Sequence, residues 1–254
     1  MTIFKSFFLG SVQGLTEFLP VSSSGHLVII QNLLDLGSDI GFDVLLHFAT
    51  VIAVLFYFRK DVVEIFRGLA GKSQTGLFYL KAVIIGSTPT AVIGFAFKGF
   101  FEAKFAQPKI AAAMLAVTGF VLFFASKYTH GKPGREIEKT RNVDFLLIGL
   151  LQGMAIMPGI SRSGMTIAMA LILGFKKETA FKYSMLLSVP AVLGAGLLEI
   201  SKIEFNAVSV SGGAAALAAG IAALYVLSGM VVREKLHVFS YYLWAASALG
   251  LIFL

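Results

Sequence analysis

Gln13-Gly14-Leu15-Thr16-Glu17-Phe18-Leu19-Pro20-Val21-Ser22-Ser23-Ser24-Gly25-His26 is repeated by Gln152-Gly153-Met154-Ala155-Ile156-Met157-Pro158-Gly159-Ile160-Ser161-Arg162-Ser163-Gly164 at a constant offset of 139 residues. Gln, Gly, two Ser and the last Gly coincide, Leu15 falls opposite Met154, and Val21 falls opposite Ile160. Each copy is a hydroxyl-rich turn between two apolar arms, at about 6–19 and 26–36 in the first and about 143–157 and 164–174 in the second. A helix needs roughly 17–25 residues to cross a bilayer. The arms are shorter than that, so each copy is expected to form a re-entrant helical hairpin that returns to the side it entered from.

The rest of the chain accounts for full crossings. Apolar runs occur at about 41–58, 77–97 and 109–126, and again at about 180–200, 207–231 and 238–254. The expected fold is therefore an all-α integral membrane protein with six full spans in a single domain over residues 1–254. Its internal halves lie at about 1–130 and 142–254, each a re-entrant hairpin plus three transmembrane helices. Three is odd, so the second half is expected upside down relative to the first, with broken helices meeting near the midplane.

Composition agrees with the membrane assignment. The 254 residues are 57% hydrophobic and 14% charged, with a mean hydropathy of +0.85, whereas soluble domains carry roughly 25% charged residues. A net charge of +7 matters here through the placement of Lys and Arg, and it does not imply a nucleic-acid partner. With no cysteine, thiol nucleophiles, disulfides and thiolate metal sites are ruled out. Glu17 and Pro20 interrupt the first apolar run, so it is read as retained in the protein and not as a signal peptide. Alternating the six spans puts fourteen Lys and Arg in one set of loops and five in the other. The richer set is expected to be cytoplasmic, placing both termini on the outer face. Pro89 and Pro190 mark kinks within spans, and the Gly and Ala between Gly194 and Ala223 mark close helix packing.

Ionisable residues within apolar stretches cost roughly 2.5–3.5 kcal/mol each on insertion scales, so they are functional candidates. They are Glu17, His26, Asp43, His47 and Arg162. Arg162 stands between Ser161 and Ser163 at the start of a helix, where a guanidinium fork, free backbone N–H groups and the helix dipole all suit phosphate oxygens. Ser22, Ser23 and Ser24, followed by Gly25, offer the same at the first turn. Ser163, Gly164 and Gln152 complete the repeated frame. The alternative is that these serines are only helix caps and Arg162 only a topology anchor.

Glu17 follows Gln13 by four residues, so both lie on one helix face. Together they could hold Mg²⁺ or Ca²⁺ through oxygen ligands, although Glu17 could equally be a carboxylate satisfied by neighbouring Ser and Arg. His26 lies at helical spacing from Ser22 and Ser23, which is suited to a hydroxyl–imidazole pair, and a hydrogen-bonded structural histidine is the other reading. Asp43 and His47, four residues apart, are read as supporting or packing groups. No phosphate-loop, His-Glu-x-x-His or dinucleotide motif occurs.

At these residues the chain resembles the undecaprenyl pyrophosphate phosphatase family, associated with bacitracin resistance, over essentially its whole length. Gln13 to Glu17 matches the family's Glu/Gln-x-x-x-Glu element, Pro20 to His26 its Pro-Val-Ser-Ser-Ser/Thr-Gly-His element, and Pro158 to Thr166 its Pro-Gly-x-Ser-Arg-Ser-Gly-x-Thr element. The resemblance implies hydrolysis of a C55 polyprenyl diphosphate to the monophosphate, recycling the carrier for cell-wall (peptidoglycan) synthesis. It also implies a bacterial inner cell membrane and a site open to the outer leaflet. By position it implies Glu17, Ser23, His26, Arg162, Ser161 and Thr166 as functional residues.

The mechanism expected on this basis has Arg162 and the serines hold the diphosphate while Glu17 with Gln13 holds the divalent cation. Ser23 or a water attacks phosphorus, and His26 handles the proton. Gln13 is the less acidic of the family's two options, which bears on metal dependence. A transporter or flippase for a polyprenyl phosphate lipid is the rival reading, because broken helices in inverted repeats are also a transporter design. Oligomeric state, including a homodimer with membrane lipids around it, is left open by the sequence.

Overall fold

The computed structural model describes residues 1–37, 39–105 and 107–254. Among the described residues the chain forms twelve α-helices with short connections, and no strand occurs beyond one isolated bridge between Arg135 and Phe175. The first half contains α1 (Ile3–Phe18), α2 (Ser23–Leu33), α3 (Ile40–Tyr57), α4 (Arg59–Leu69), α5 (Gln74–Ala96), α6 (Lys98–Phe105) and α7 (Pro108–Thr129). The second contains α8 (Asn142–Met154), α9 (Arg162–Ile172), α10 (Lys177–Leu198), α11 (Ala207–Val232) and α12 (His237–Phe253).

Five of these helices, α3, α5, α7, α10 and α11, are long and apolar enough to cross a membrane. At 17 residues α12 is apolar but shorter. Large apolar side chains such as Phe4, Val92, Phe95, Phe124 and Tyr225 are exposed, as expected where lipid tails replace water as the surrounding medium. The interior is packed around Phe145, Tyr183, Leu115, Ile167 and Leu224, all inaccessible.

The short arms do become short helices, α1 with α2 and α8 with α9. In each pair the chain reverses through the hydroxyl-rich turn. The first helix of each pair leaves its own half for the other: α1 packs along α11, and α8 packs along α5. Both crossings are backbone to backbone. A Cβ on Gly10 would run into the carbonyl of Gly212, one on Gly14 into that of Ala216, and one on Gly149 into that of Gly86. Small residues let helices approach this closely where no water-driven force joins them. Gly194, within the small-residue stretch read as packing, has open space at its Cβ position, whereas Gly196 lies against the Phe48 ring.

Two differences from the sequence reading are structural. Residues 59–69, read as a charged loop, form α4, with Val63, Phe66 and Leu69 exposed beside Arg59, Lys60 and Arg67. Charged residues at helical spacing lower hydropathy without breaking the helix. Residues 98–105 likewise form a short helix between spans. Both α5 and α10 stay helical through Pro89 and Pro190, where Ser87 and Ser188 donate back to the carbonyls of Val83 and Met185 at 2.7 and 2.6 Å.

Candidate active site at the paired turns

The two turns touch. Ser163 Oγ donates to the carbonyl of Leu19 at 3.4 Å. A Cβ on Gly25 would lie 3.0 Å from Gly159 Cα, and one on Gly164 would lie 3.2 Å from Pro20 Cβ. Each following helix opens the same way. Ser22 Oγ accepts from the backbone N–H of Gly25 at 3.3 Å, and Ser161 Oγ accepts from that of Gly164 at 3.1 Å. In both turns the capping serine also meets the serine two residues on, Ser22 with Ser24 at 3.4 Å and Ser161 with Ser163 at 3.2 Å. The remaining N–H groups of the first turn of each helix leave a positive end there.

Glu17 is the centre of the site. Its buried carboxylate accepts from Ser23 Oγ at 2.5 Å and Gln13 Nε2 at 3.1 Å through Oε2, and from Arg162 Nη2 at 2.6 Å through Oε1. His47 Nε2 stands 3.7 Å from Oε2. Donors from α1, α2 and α9 thus converge on one carboxylate, with the His47 ring of α3 nearby. Two polar atoms here have no partner despite being buried: Arg162 Nη1 and Gln13 Oε1. A buried donor left unpaired forfeits roughly 1–3 kcal/mol and more if charged, so a guanidinium with an idle nitrogen beside two helix N-termini is built to receive an anion.

His26 is placed differently from the expected serine–imidazole pair. Its Nδ1 donates to the carbonyl of Ser22 at 2.8 Å, and its Nε2 meets the hydroxyl of Tyr242 at 2.6 Å. Both ring nitrogens are engaged elsewhere, so the hydroxyl of Ser23 goes to Glu17 instead. The carbonyl geometry at the start of α2 decides this, because Ser22 lies four residues before His26 and sits at φ +69°, outside the helix.

The second turn's other hydroxyls face inward. Thr166 Oγ1 bonds Ser184 Oγ at 2.5 Å and donates to the carbonyl of Arg162 at 2.9 Å. Gln152, the counterpart of Gln13, donates through Nε2 to Thr90 Oγ1 at 3.0 Å. Asp43 accepts from Gln31 at 2.9 Å, and its backbone carbonyl accepts from His47 Nδ1 at 2.7 Å. Among the described residues no cluster of three or more His, Cys, Asp or Glu suited to a metal ion is present.

Three contributors escaped the sequence reading. Thr118 on α7 accepts from the backbone N–H of Ser161 at 3.0 Å and donates to the carbonyl of Gly159 at 3.1 Å, bracing the second turn. Thr90 braces Gln152 and the Gly149 carbonyl. Each is a hydroxyl inside an apolar span, which is the one signal that could have marked it. Tyr242 gave no local signal at all.

The chain is similar to known proteins along nearly its whole length. An undecaprenyl-diphosphatase of Halothermothrix orenii is 41% identical over 261 residues, covering 99% of this chain and 98% of its own. Proteins of the same name from Methanococcus maripaludis and Alkaliphilus metalliredigens are 37% identical over 246 residues and 39% over 274, covering 97% and 100% of this chain and 98% and 99% of their own. The family model described as bacitracin resistance protein BacA matches residues 6–249. Since that match takes in both turns and all but the ends of the chain, the protein belongs to the BacA family of bacitracin resistance proteins.

Proposed function

We propose that the chain is an undecaprenyl-diphosphate phosphatase that releases phosphate and returns undecaprenyl phosphate to cell-wall synthesis. The observation carrying this reading is the Glu17 carboxylate shared by Ser23 and Arg162, beside an idle and buried Arg162 Nη1. Relatives named undecaprenyl-diphosphatase match at 37–41% identity over nearly the whole chain.

In the mechanism, the N-termini of α2 and α9 and the guanidinium of Arg162 hold the diphosphate. Ser22, Ser24, Gly25, Ser161, Ser163 and Gly164 shape that cradle, while Gln152 and Thr166 support it from behind. Ser23 Oγ attacks the terminal phosphorus and passes its proton to Glu17 Oε2, and the P–O bond to the lipid phosphate breaks. Water then hydrolyses the phosphoserine, His26 taking a proton from that water as Glu17 returns one to Ser23. Positioning and charge stabilisation supply most of the acceleration, as in other phosphoryl transfers. The unpaired Gln13 Oε1 beside Glu17 fits a Mg²⁺ or Ca²⁺ ion, which Gln13 and Glu17 would hold as oxygen ligands. Such an ion would neutralise charge on the diphosphate.

The finer architecture is part of the same proposal: six spans, two inverted halves, and both termini with the site on the outer face of the cell membrane. Exchange symmetry of the packing supports it. α1 packs on α11 as α8 does on α5, α3 on α11 as α10 does on α5, and α7 on α12. The fourteen-to-five loop charge ratio supports the orientation.

Phosphate release from undecaprenyl diphosphate by purified protein in detergent tests the function, since hydrolysis needs no second compartment and transport does. Native rates from folded Ser23→Ala and Arg162→Ala proteins would overturn the assignment.

A further inference from the structure

His26 can exchange protons through only one atom. The carbonyl of Ser22 is purely an acceptor, so the 2.8 Å contact places hydrogen on Nδ1 and leaves Nε2 bare in the neutral ring. That bare nitrogen points to the hydroxyl of Tyr242, 2.6 Å away on α12, at a separation of 216 residues in the chain. The hydroxyl must be the donor in this bond. The two rings are nearly parallel, with 8° between planes and 5.7 Å between centroids, so the imidazole is held in orientation as well as in tautomer.

The surroundings isolate the pair. A cleft of about 190 Å³ runs between α2 and α12, and His26 and Tyr242 are the polar side chains among those lining it. The other walls are aliphatic or aromatic, including Ile29, Leu33, Leu115, Leu249 and Phe253. No competing side-chain partner for Nε2 lines this cleft. Tyr242 is itself 49% exposed, so its side chain has room to swing outward and surrender Nε2 to an incoming water.

We infer that Tyr242 is a positioning residue for the hydrolytic step, fixing the orientation of the His26 ring with Nε2 unprotonated. This rests on the reading of His26 as the group that takes a proton during turnover. Tyr242 itself neither holds the diphosphate nor bonds with Glu17, Ser23 or Arg162, whose partners are given above. Its contribution passes through one imidazole nitrogen, and second-site variants can therefore isolate it.

The test is a double-mutant cycle on Tyr242→Phe and His26→Ala, reading steady-state phosphate release over a range of undecaprenyl diphosphate concentrations in detergent micelles. Tyr242→Phe keeps the ring and removes only the hydroxyl. The expected result is a kcat lower by about tenfold with KM within twofold, and no further loss when Tyr242→Phe is added to His26→Ala, because coupled residues are not additive. Tyr242→Leu, with an unchanged melting temperature as its control, is expected to lose more than Tyr242→Phe, because it also removes the parallel ring. If His26→Ala is slow while Tyr242→Phe turns over at the native rate, or if the two losses multiply, the Tyr242 inference fails alone. A native rate for His26→Ala instead removes the reading of His26 on which it rests.

Discussion

The two turns carry the same cap and different centres. Ser22 and Ser161 occupy equivalent positions, as do Ser24 and Ser163, and each pair makes the same bonds to backbone and to one another. Between them the repeat diverges: Ser23 stands where the second copy has Arg162. Both of these side chains reach Glu17, one on each carboxylate oxygen, and Glu17 itself has the apolar Ile156 as its counterpart. Likewise His26 corresponds to Met165, a buried side chain. The two turns thus share a frame of two helix N-termini and differ at the central positions. The first turn holds a hydroxyl and a carboxylate, and the second contributes a guanidinium.

The central positions should break hardest. Arg162→Ala is expected to reduce phosphate release by about a thousandfold, the scale seen when one donor aimed at developing charge is removed, and Ser23→Ala, which removes the attacking hydroxyl, by more. Arg162→Ala should also destabilise the fold by about 3–5 kcal/mol, because it strands a buried carboxylate, whereas Ser23→Ala should not. Thermal unfolding in detergent separates the two. Arg162→Lys should recover stability better than activity, since an ammonium cannot reproduce the forked geometry.

Backbone differences between the turns come next. The second turn bends at Gly159 with φ +91°, where a Cβ would also collide with the carbonyl of Ala111. The first bends at Ser22 with φ +69°. Gly159→Ala is expected to destabilise by about 3 kcal/mol through strain and the clash, while Ser22→Gly should relieve strain. Melting temperatures of the pair give opposite signs if the comparison holds.

A smaller effect is expected from the metal proposed for the first turn. Gln13→Glu places a second carboxylate beside Glu17, where Gln13 now donates at 3.1 Å. Mg²⁺ should then bind about tenfold more tightly, since charge count sets affinity at oxygen sites. Titration calorimetry without substrate reads this, and the corresponding Gln152→Glu change should leave Mg²⁺ affinity unaltered. Smallest are the shared caps. Ser22→Ala and Ser161→Ala should each lower stability by about 1 kcal/mol, and equal losses would confirm that the two frames are equivalent.

How much of this was legible depended on whether the cause was local. Arm length and turn composition identified the short helices around Ser22 and Ser161, because these depend on nearby residues. The list of ionisable residues in apolar sequence found Glu17, His26 and Arg162 for the same reason: burying charge is costly wherever the chain folds. Helix α4 was missed because its charges look like a loop to a hydropathy window, although the spacing of Val62, Ile65, Phe66 and Leu69 is helical. For His26, spacing on one helix suggested Ser22 and Ser23 as hydroxyl partners and left a hydrogen-bonded structural histidine as the other reading. The bonds actually made go to a backbone carbonyl and to Tyr242, both decided by tertiary packing.

The embrace of α1 by α11 has a consequence for biogenesis. Ser6 donates to the carbonyl of Val208, 202 residues later in the chain. At about 5–20 residues per second the ribosome needs on the order of 10–40 s to make the missing groove. During that interval the first helix has α2 and α3 beside it but lacks α11, its main partner. The insertion machinery must shelter it, and newly made chains stalled before residue 207 should remain open to protease at the amino-terminal end.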